Sequence, residues 1–383
     1  MHGWRTDLSL PRLHVSMPPP MPGLYIHIPF CKKKCFYCDF FSVEYNEYLS
    51  SQYVEALSKH AGQHKGRAVD TIYVGGGTPS VLSEKQIERL LNSIKTNFNL
   101  NGLKEFTFEL NPESASKDKL KILKNYGVDR LSMGLQSVDD NLLKKIGRIH
   151  DFEIFSKAYE CARNEGFDNF NLDLMYGLPE QTLSSWKKSL KTVSDIGCEH
   201  ISLYPLSIEE NTPFYNDGIE INDNLQSDMY ETAVDFLFGE NFNHYEISNW
   251  AKPGKESAHN SNYWRNFEYI ALGAGASGYE NGYRYSNIEN IAGYTDFILK
   301  GMNVKDKSEF INDEIYESEA IMLGLRLLDE GVDIKTFKSC ANINALNELL
   351  REKKLINENK RIKLPKNTVF ISNQIMSRFM KGS

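Results

Sequence analysis

Between Leu24 and Pro205 the chain alternates short apolar runs, rich in β-branched and aromatic residues, with longer stretches whose apolar positions recur at helical spacing. The short runs lie at 24–28, 71–74, 105–110, 130–135, 170–176 and 200–204, and each predicts a strand. The stretches 48–58, 85–96, 117–126, 152–164 and 181–195 predict the helices between them. Strands alternating with helices imply βαβ units and a parallel sheet. Six such units predict an incomplete, curved TIM-like (β/α)6 barrel, and a flat doubly wound sheet is the alternative. Glycine and polar residues follow each run: Gly75-Gly76-Gly77-Thr78-Pro79, Asn111-Pro112, Gln136-Ser137, Gly177-Leu178-Pro179 and Pro205. In parallel α/β folds ligands sit at the carboxyl ends of strands, so Glu109, Gln136 and Asp173, with the loop from Gly75 to Thr78, mark the functional rim.

Past about residue 220 this rhythm weakens. A helical pattern at 227–238 leads into a loop-rich segment holding His259-Asn260-Ser261-Asn262-Tyr263-Trp264 and Leu272-Gly273-Ala274-Gly275-Ala276-Ser277. From about 310 the pattern is helical again, at 317–328 and 344–350, and closes on β-like runs at 362–364 and 369–371. That order predicts a small winged-helix-like C-terminal domain. The chain is therefore divided into a disordered leader (1–21), a (β/α)6 core (22–220), a loop-rich extension (221–305) and a C-terminal domain (306–383).

Composition changes this picture little. Of 383 residues, 41% are hydrophobic and 25% charged, as in a globular protein, and the net charge of -7 gives no electrostatic case for nucleic acid. No apolar run reaches the length of a membrane-spanning helix. The leader, with Pro18-Pro19-Pro20, lacks the apolar core of a secretory signal. Six cysteines in so long a chain are not a disulfide scaffold, and Cys161, Cys198 and Cys340 are expected as buried structural thiols.

The other three cysteines carry the chemistry. Cys31, Cys35 and Cys38 form C-x3-C-x2-C just after the first predicted strand. A four-iron cube normally has a thiolate on each iron, so three thiolates leave one iron open to chelate a small molecule and pass it an electron. The spacing resembles that of radical S-adenosylmethionine (SAM) enzymes. A zinc site with a distant fourth ligand is the alternative, although structural zinc favours paired C-x2-C elements and no second pair occurs. The glycine run after the second strand lets a ligand approach the backbone closely. Glu109 and Asp173, at strand ends, suit an ammonium or ribose hydroxyls, and the guanidinium of Arg148 suits a carboxylate. His259 is a candidate axial ligand of haem iron, and Tyr263 and Trp264 are candidate walls for a flat macrocycle. A surface loop with packed aromatics is the alternative there.

Tyr25-Ile26-His27-Ile28-Pro29-Phe30-Cys31, the glycine run, Leu135-Gln136-Ser137, Gly147-Arg148 and Asp173-Leu174-Met175-Tyr176-Gly177-Leu178-Pro179 together resemble the oxygen-independent coproporphyrinogen III oxidase family of radical SAM proteins. The resemblance spans roughly 22–375. It implies a [4Fe–4S] cluster on Cys31, Cys35 and Cys38, and SAM contacts by Tyr25, Tyr37, Gly76, Gly77, Thr78, Glu109, Gln136, Arg148 and Asp173, with Pro205 and Ser277 at further matching positions. The oxidase pattern continues to a fourth cysteine, where this chain has Phe40, and its long N-terminal arm has no counterpart here. Both departures, and the H-N-x-x-Y-W run from His259, resemble the haem-chaperone branch of the family. That branch implies haem as a third cofactor, with His259 and Tyr263 as contacts, and no assigned catalytic residue. Its partners are haem and haem-acceptor proteins such as membrane respiratory enzymes, with a homodimer left open. It implies a cytoplasmic location, peripheral at the membrane, and no nucleic acid. The oxidase, acting in porphyrin biosynthesis, is the alternative.

Overall fold

The computed structural model describes residues 20–380, so all but the end of the expected leader lies outside the described residues. Six strands, β1 (Gly23–Ile28), β2 (Thr71–Gly76), β3 (Glu105–Leu110), β4 (Arg130–Gln136), β5 (Phe170–Tyr176) and β6 (His200–Pro205), pair in parallel in chain order. They are buried almost throughout, as expected where helices cover one face and the barrel interior the other. Helices α1 (Glu47–Gln63), α2 (Glu84–Asn97), α3 (Lys117–Asn125), α4 (Phe152–Asn164) and α5 (Leu183–Ile196) are the crossovers. Their starts are chemically defined: the Asn46 side chain accepts from Leu49 N, and Ser83 and Gln86 form a capping box. Ile26, Val74, Phe108 and Leu131 are fully buried in the layer between strands and helices.

The segment expected to be loop-rich instead extends the sheet. After α6 (Asp223–Gly239), strands β7 (Asn243–Glu246) and β8 (Asn249–Ala251) add an antiparallel edge to β6. On the other side β9 (Tyr269–Leu272) pairs in parallel with β1 and leads into an antiparallel meander of β10 (Ser277–Glu280), β11 (Tyr283–Asn287) and β12 (Lys305–Phe310). The twelve-stranded sheet runs from β7 to β12 without closing, so the barrel is incomplete. These late strands escape a periodicity reading because β7 to β11 have only three to five residues each and β12 is exposed at every position. The run from His259 to Trp264 is a helix, α7 (Ala258–Trp264), not a loop.

The C-terminal part holds helices at Asp313–Gly324 and Cys340–Arg351 and a three-stranded sheet of Val332–Asp333, Arg361–Lys363 and Ile356–Glu358. That is a winged-helix-like order. The run 369–371, expected as a strand, lies in the 3-10 helix Lys366–Ile371, where Val369 plugs the core and makes no strand pair. Cys198 is buried as expected, Cys161 is half-buried, and Cys340 is exposed at the start of its helix. Among the described residues no helix is long and apolar enough to cross a membrane.

Candidate functional site

The chain leaves β1 through Pro29, and the short strand Phe30–Cys31 pairs with Val43–Glu44, which pinches the intervening residues into a closed lobe. Inside the lobe Cys38 N donates to Cys35 O at 3.2 Å, and Phe36 N donates to Ile146 O at 3.1 Å, tying it to the rim beyond β4. Cys31, Cys35 and Cys38 all line one cavity of about 600 Å³ at the carboxyl ends of the strands. Burial pushes the Cys31 thiol up and the Cys38 thiol to about 11, so thiolate forms there require a positive partner. Among the described residues no three His, Cys, Asp or Glu side chains converge tightly enough to hold a single metal ion. Three thiols on the wall of one cavity would suit a cluster, in which each thiolate takes its own iron.

The glycine loop after β2 is docked on this lobe. Gly77 N donates to Ile28 O at 2.9 Å and Thr78 N to Phe30 O at 2.8 Å. A Cβ on Gly77 would lie 2.7 Å from Phe30 O and 2.9 Å from Cys31 Sγ; one on Gly76, whose φ is +119°, would lie 2.7 Å from the His27 ring. Only glycine permits this approach. A polar chain then crosses the rim. Thr78 Oγ1 donates to Cys31 Sγ at 3.6 Å and accepts from Asn111 Nδ2 at 3.0 Å. Arg148 Nη2 donates to Asn111 Oδ1 at 2.8 Å and Gly134 O at 2.7 Å, while its Nη1 lies 3.6 Å from Cys35 Sγ. Arg148 is thus already engaged on the protein side as well as facing the cavity. Asn111 is a rim residue that sequence reasoning did not single out; its position beside Pro112 at a strand end was the available signal.

Two acids face the same cavity from β3 and β5. Glu109 accepts from Tyr73 OH at 2.5 Å and Gly76 N at 3.1 Å. Burial, with the Asp173 charge adding, raises its carboxyl to about 7 against the pull of those donors. Asp173 accepts from Asn171 Nδ2 at 2.8 Å and Ser132 Oγ at 3.4 Å, and burial raises it as well. Gln136 has a φ of +66° where the β4–β5 register slips, the kind of backbone strain that gathers at functional rims. Tyr25, Tyr37, Gln136 and Pro205 complete the wall, so every expected SAM contact except Ser277 lines one cavity. Ser277 lines a neighbouring one.

That second cavity, of about 510 Å³, shares Tyr25 and Phe40 with the first and is walled by Phe41, Tyr263, Trp264 and Tyr269. Helix α7 stands between the two: Asn260 lines the first, Tyr263 and Trp264 the second. Glu105 fixes the start of α7, accepting from Ala258 N at 2.7 Å and Ser257 Oγ at 3.1 Å. His259 is only 1% exposed; its Nδ1 is hydrogen-bonded to Thr71 Oγ1 at 2.9 Å and its Nε2 to Tyr263 OH at 2.8 Å. Burial pushes it down to about 3, so it is neutral, and neither ring nitrogen is free. His259 lines neither cavity and acts on the second through Tyr263. Three buried donors on the second wall have no partner: Trp264 Nε1, Asn266 Nδ2 and Arg284 Nε. The aromatic faces of this cavity suit a planar ring system.

Comparison with known proteins agrees with this geometry. The Radical SAM superfamily profile matches residues 25–193. A protein of Lactococcus lactis named heme chaperone HemW is 36% identical over 93% of this chain and 96% of its own length. Its Bacillus subtilis namesake is 41% identical over 83% of this chain and 86% of its own. The solved structure of Escherichia coli coproporphyrinogen III oxidase, HemN, described as a radical SAM enzyme, superposes with a TM-score of 0.84 over 96% of this chain and 92% of that one, at 22% identity, and so shares the fold.

Proposed function

This chain belongs to the radical SAM superfamily and, within it, to the family of the HemW proteins, and we propose that it is a haem chaperone that also carries a [4Fe–4S] cluster and SAM. Cys31, Cys35 and Cys38 would hold the cluster, and Tyr25, Tyr37, Gly76, Gly77, Thr78, Glu109, Gln136, Arg148 and Asp173 would surround SAM. When bound, these groups supply one-electron reduction of a sulfonium. The protein's own part is positional. The glycine loop opens backbone to the ligand, Glu109 and Asp173 face its cationic groups, and the rim network fixes Arg148 beside the cysteine lobe.

The observation that carries the haem reading is the place of α7, whose Tyr263 and Trp264 wall an aromatic cavity contiguous with the cysteine cavity. Haem would lie against these rings, and His259 would set Tyr263 in place through its hydrogen bond. For His259 to reach iron, one ring nitrogen must first give up its bond, to Thr71 or to Tyr263. Haem would pass from here to haem-requiring acceptors, respiratory enzymes at the membrane among them, from a cytoplasmic protein acting as monomer or homodimer. Phe40, 66% exposed on the wall shared by both cavities, stands where the oxidase pattern has a cysteine, and this favours the chaperone over the oxidase.

Anaerobic haem titration of the reconstituted protein tests the reading. A Soret band is expected, with affinity lowered roughly tenfold, or the band shifted, when His259→Ala and Tyr263→Ala are combined. A folded double variant with unchanged spectrum and affinity would remove α7 from the site. Incubation with coproporphyrinogen III, SAM and reductant is expected to yield no protoporphyrinogen; product formation would return the chain to the oxidases.

A further inference from the structure

Deeper in the barrel than the rim groups, β4 begins with Arg130, in register with Thr107 of β3. It is 1% exposed and among the largest fully buried side chains. Its one hydrogen bond is long, Nη1 to Thr107 Oγ1 at 3.5 Å, and its Nε has no partner. Two other partly buried arginines have carboxylate partners: Arg163 with Glu199 at 2.9 Å and Arg284 with Glu319 at 2.6 Å. A guanidinium cannot shed its charge inside a protein, and an unpaired buried charge is costly. Arg130 nevertheless lines the 600 Å³ cavity together with Ser132, Asn171 and Asn260, the last of these from α7. The cavity is therefore polarised, with Glu109 and Asp173 nearer the rim and, below them, a guanidinium whose charge acts on both carboxyls but makes no ion pair with either.

We propose that the barrel floor is a carboxylate subsite, in which Arg130 receives the carboxylate of the molecule that occupies the cavity beside the rim cofactors. Bidentate recognition of a carboxylate is what the guanidinium fork does best. It does not duplicate Arg148, whose Nη2 is already committed to Asn111 and Gly134. Asn260 brings α7 to the same floor, so a haem propionate is one source of the carboxylate, and a small free carboxylic acid is the other. The first source rests on the haem-chaperone reading; the second does not.

The experiment compares the wild type with Arg130→Gln and Arg130→Lys, each checked for circular dichroism and reconstituted iron content. Haem and haem dimethyl ester are titrated by Soret absorbance, and propionate and succinate by shift of the melting temperature. For a propionate ligand, the wild type binds haem about tenfold more tightly than the ester, Arg130→Gln abolishes that preference, and Arg130→Lys, which keeps charge but not the fork, retains part of it. For a small acid, propionate or succinate raises the melting temperature of the wild type and not that of Arg130→Gln. If Arg130→Gln does not fold, Arg130→Lys decides, since undiminished discrimination in both arms overturns the subsite. The proposal is equally overturned if the wild type neither prefers haem to its ester nor responds to the acids. Failure of haem to bind at all would sink the chaperone reading, and the small-acid arm would then decide the subsite alone.

Discussion

The two adjoining cavities are built by different means. The cysteine cavity is walled by residues at the ends of successive strands, and its polar groups are tied into a network running from Arg148 through Asn111 and Thr78 to Cys31. The cavity beside α7 draws its wall from Tyr25 to Leu323, relies on aromatic faces, and keeps three buried donors unpaired. A bonded rim can hold a ligand of fixed shape in one pose, as electron transfer between neighbouring groups demands. A wall of rings without such a network can hold a flat ligand and release it again.

The largest test of this division removes all three thiols. Replacing Cys31, Cys35 and Cys38 by alanine is expected to reduce bound iron and sulfide to background in chemical assay. If no haem group enters the cysteine cavity, haem affinity should change by no more than about twofold; a propionate on Arg130 would couple the two cavities and make the loss larger. A parallel collapse of haem binding would make the two cavities one site. Next in size is Gly77→Ala. Its methyl meets Phe30 O and Cys31 Sγ, and overpacking of this kind costs about 1–3 kcal/mol, read as a lower melting temperature and poor cluster retention. The haem spectrum should survive it.

The smallest effect is a pH dependence. With Glu109 raised to about 7, the free site loses a carboxylate charge as pH falls through that value, and affinity for a cationic ligand such as SAM should drop by up to about tenfold per pH unit below it. Glu109→Gln should flatten the profile and weaken binding at pH 8, while haem binding stays level across the same range if haem keeps to the cavity beside α7. A haem profile that follows Glu109 would again merge the two cavities. The stability linkage has a definite sign: between the ordinary carboxyl value of 4.5 and about 7 the folded state binds the extra proton, so this group's contribution declines as pH rises through that window.

The sequence alone determined the six parallel strands, their crossover helices and the rim they present, because strand and helix periods are local and a parallel sheet places every loop of one kind at one end. Cys31 to Cys38 and Gly75 to Pro79 were legible for the same reason, as contiguous motifs. Tertiary structure alone decided where α7 packs: His259 meets Thr71 across 188 positions, and Glu105 holds Ala258 across 153. It also decided that Arg130, an ordinary basic residue in the sequence, is buried without an ion pair among the described residues, that Asn111 links arginine to the cysteine lobe, and that Cys340 faces solvent. Burial and hydrogen-bond partnership are set by residues distant in the chain, and no local period encodes which distant residue arrives.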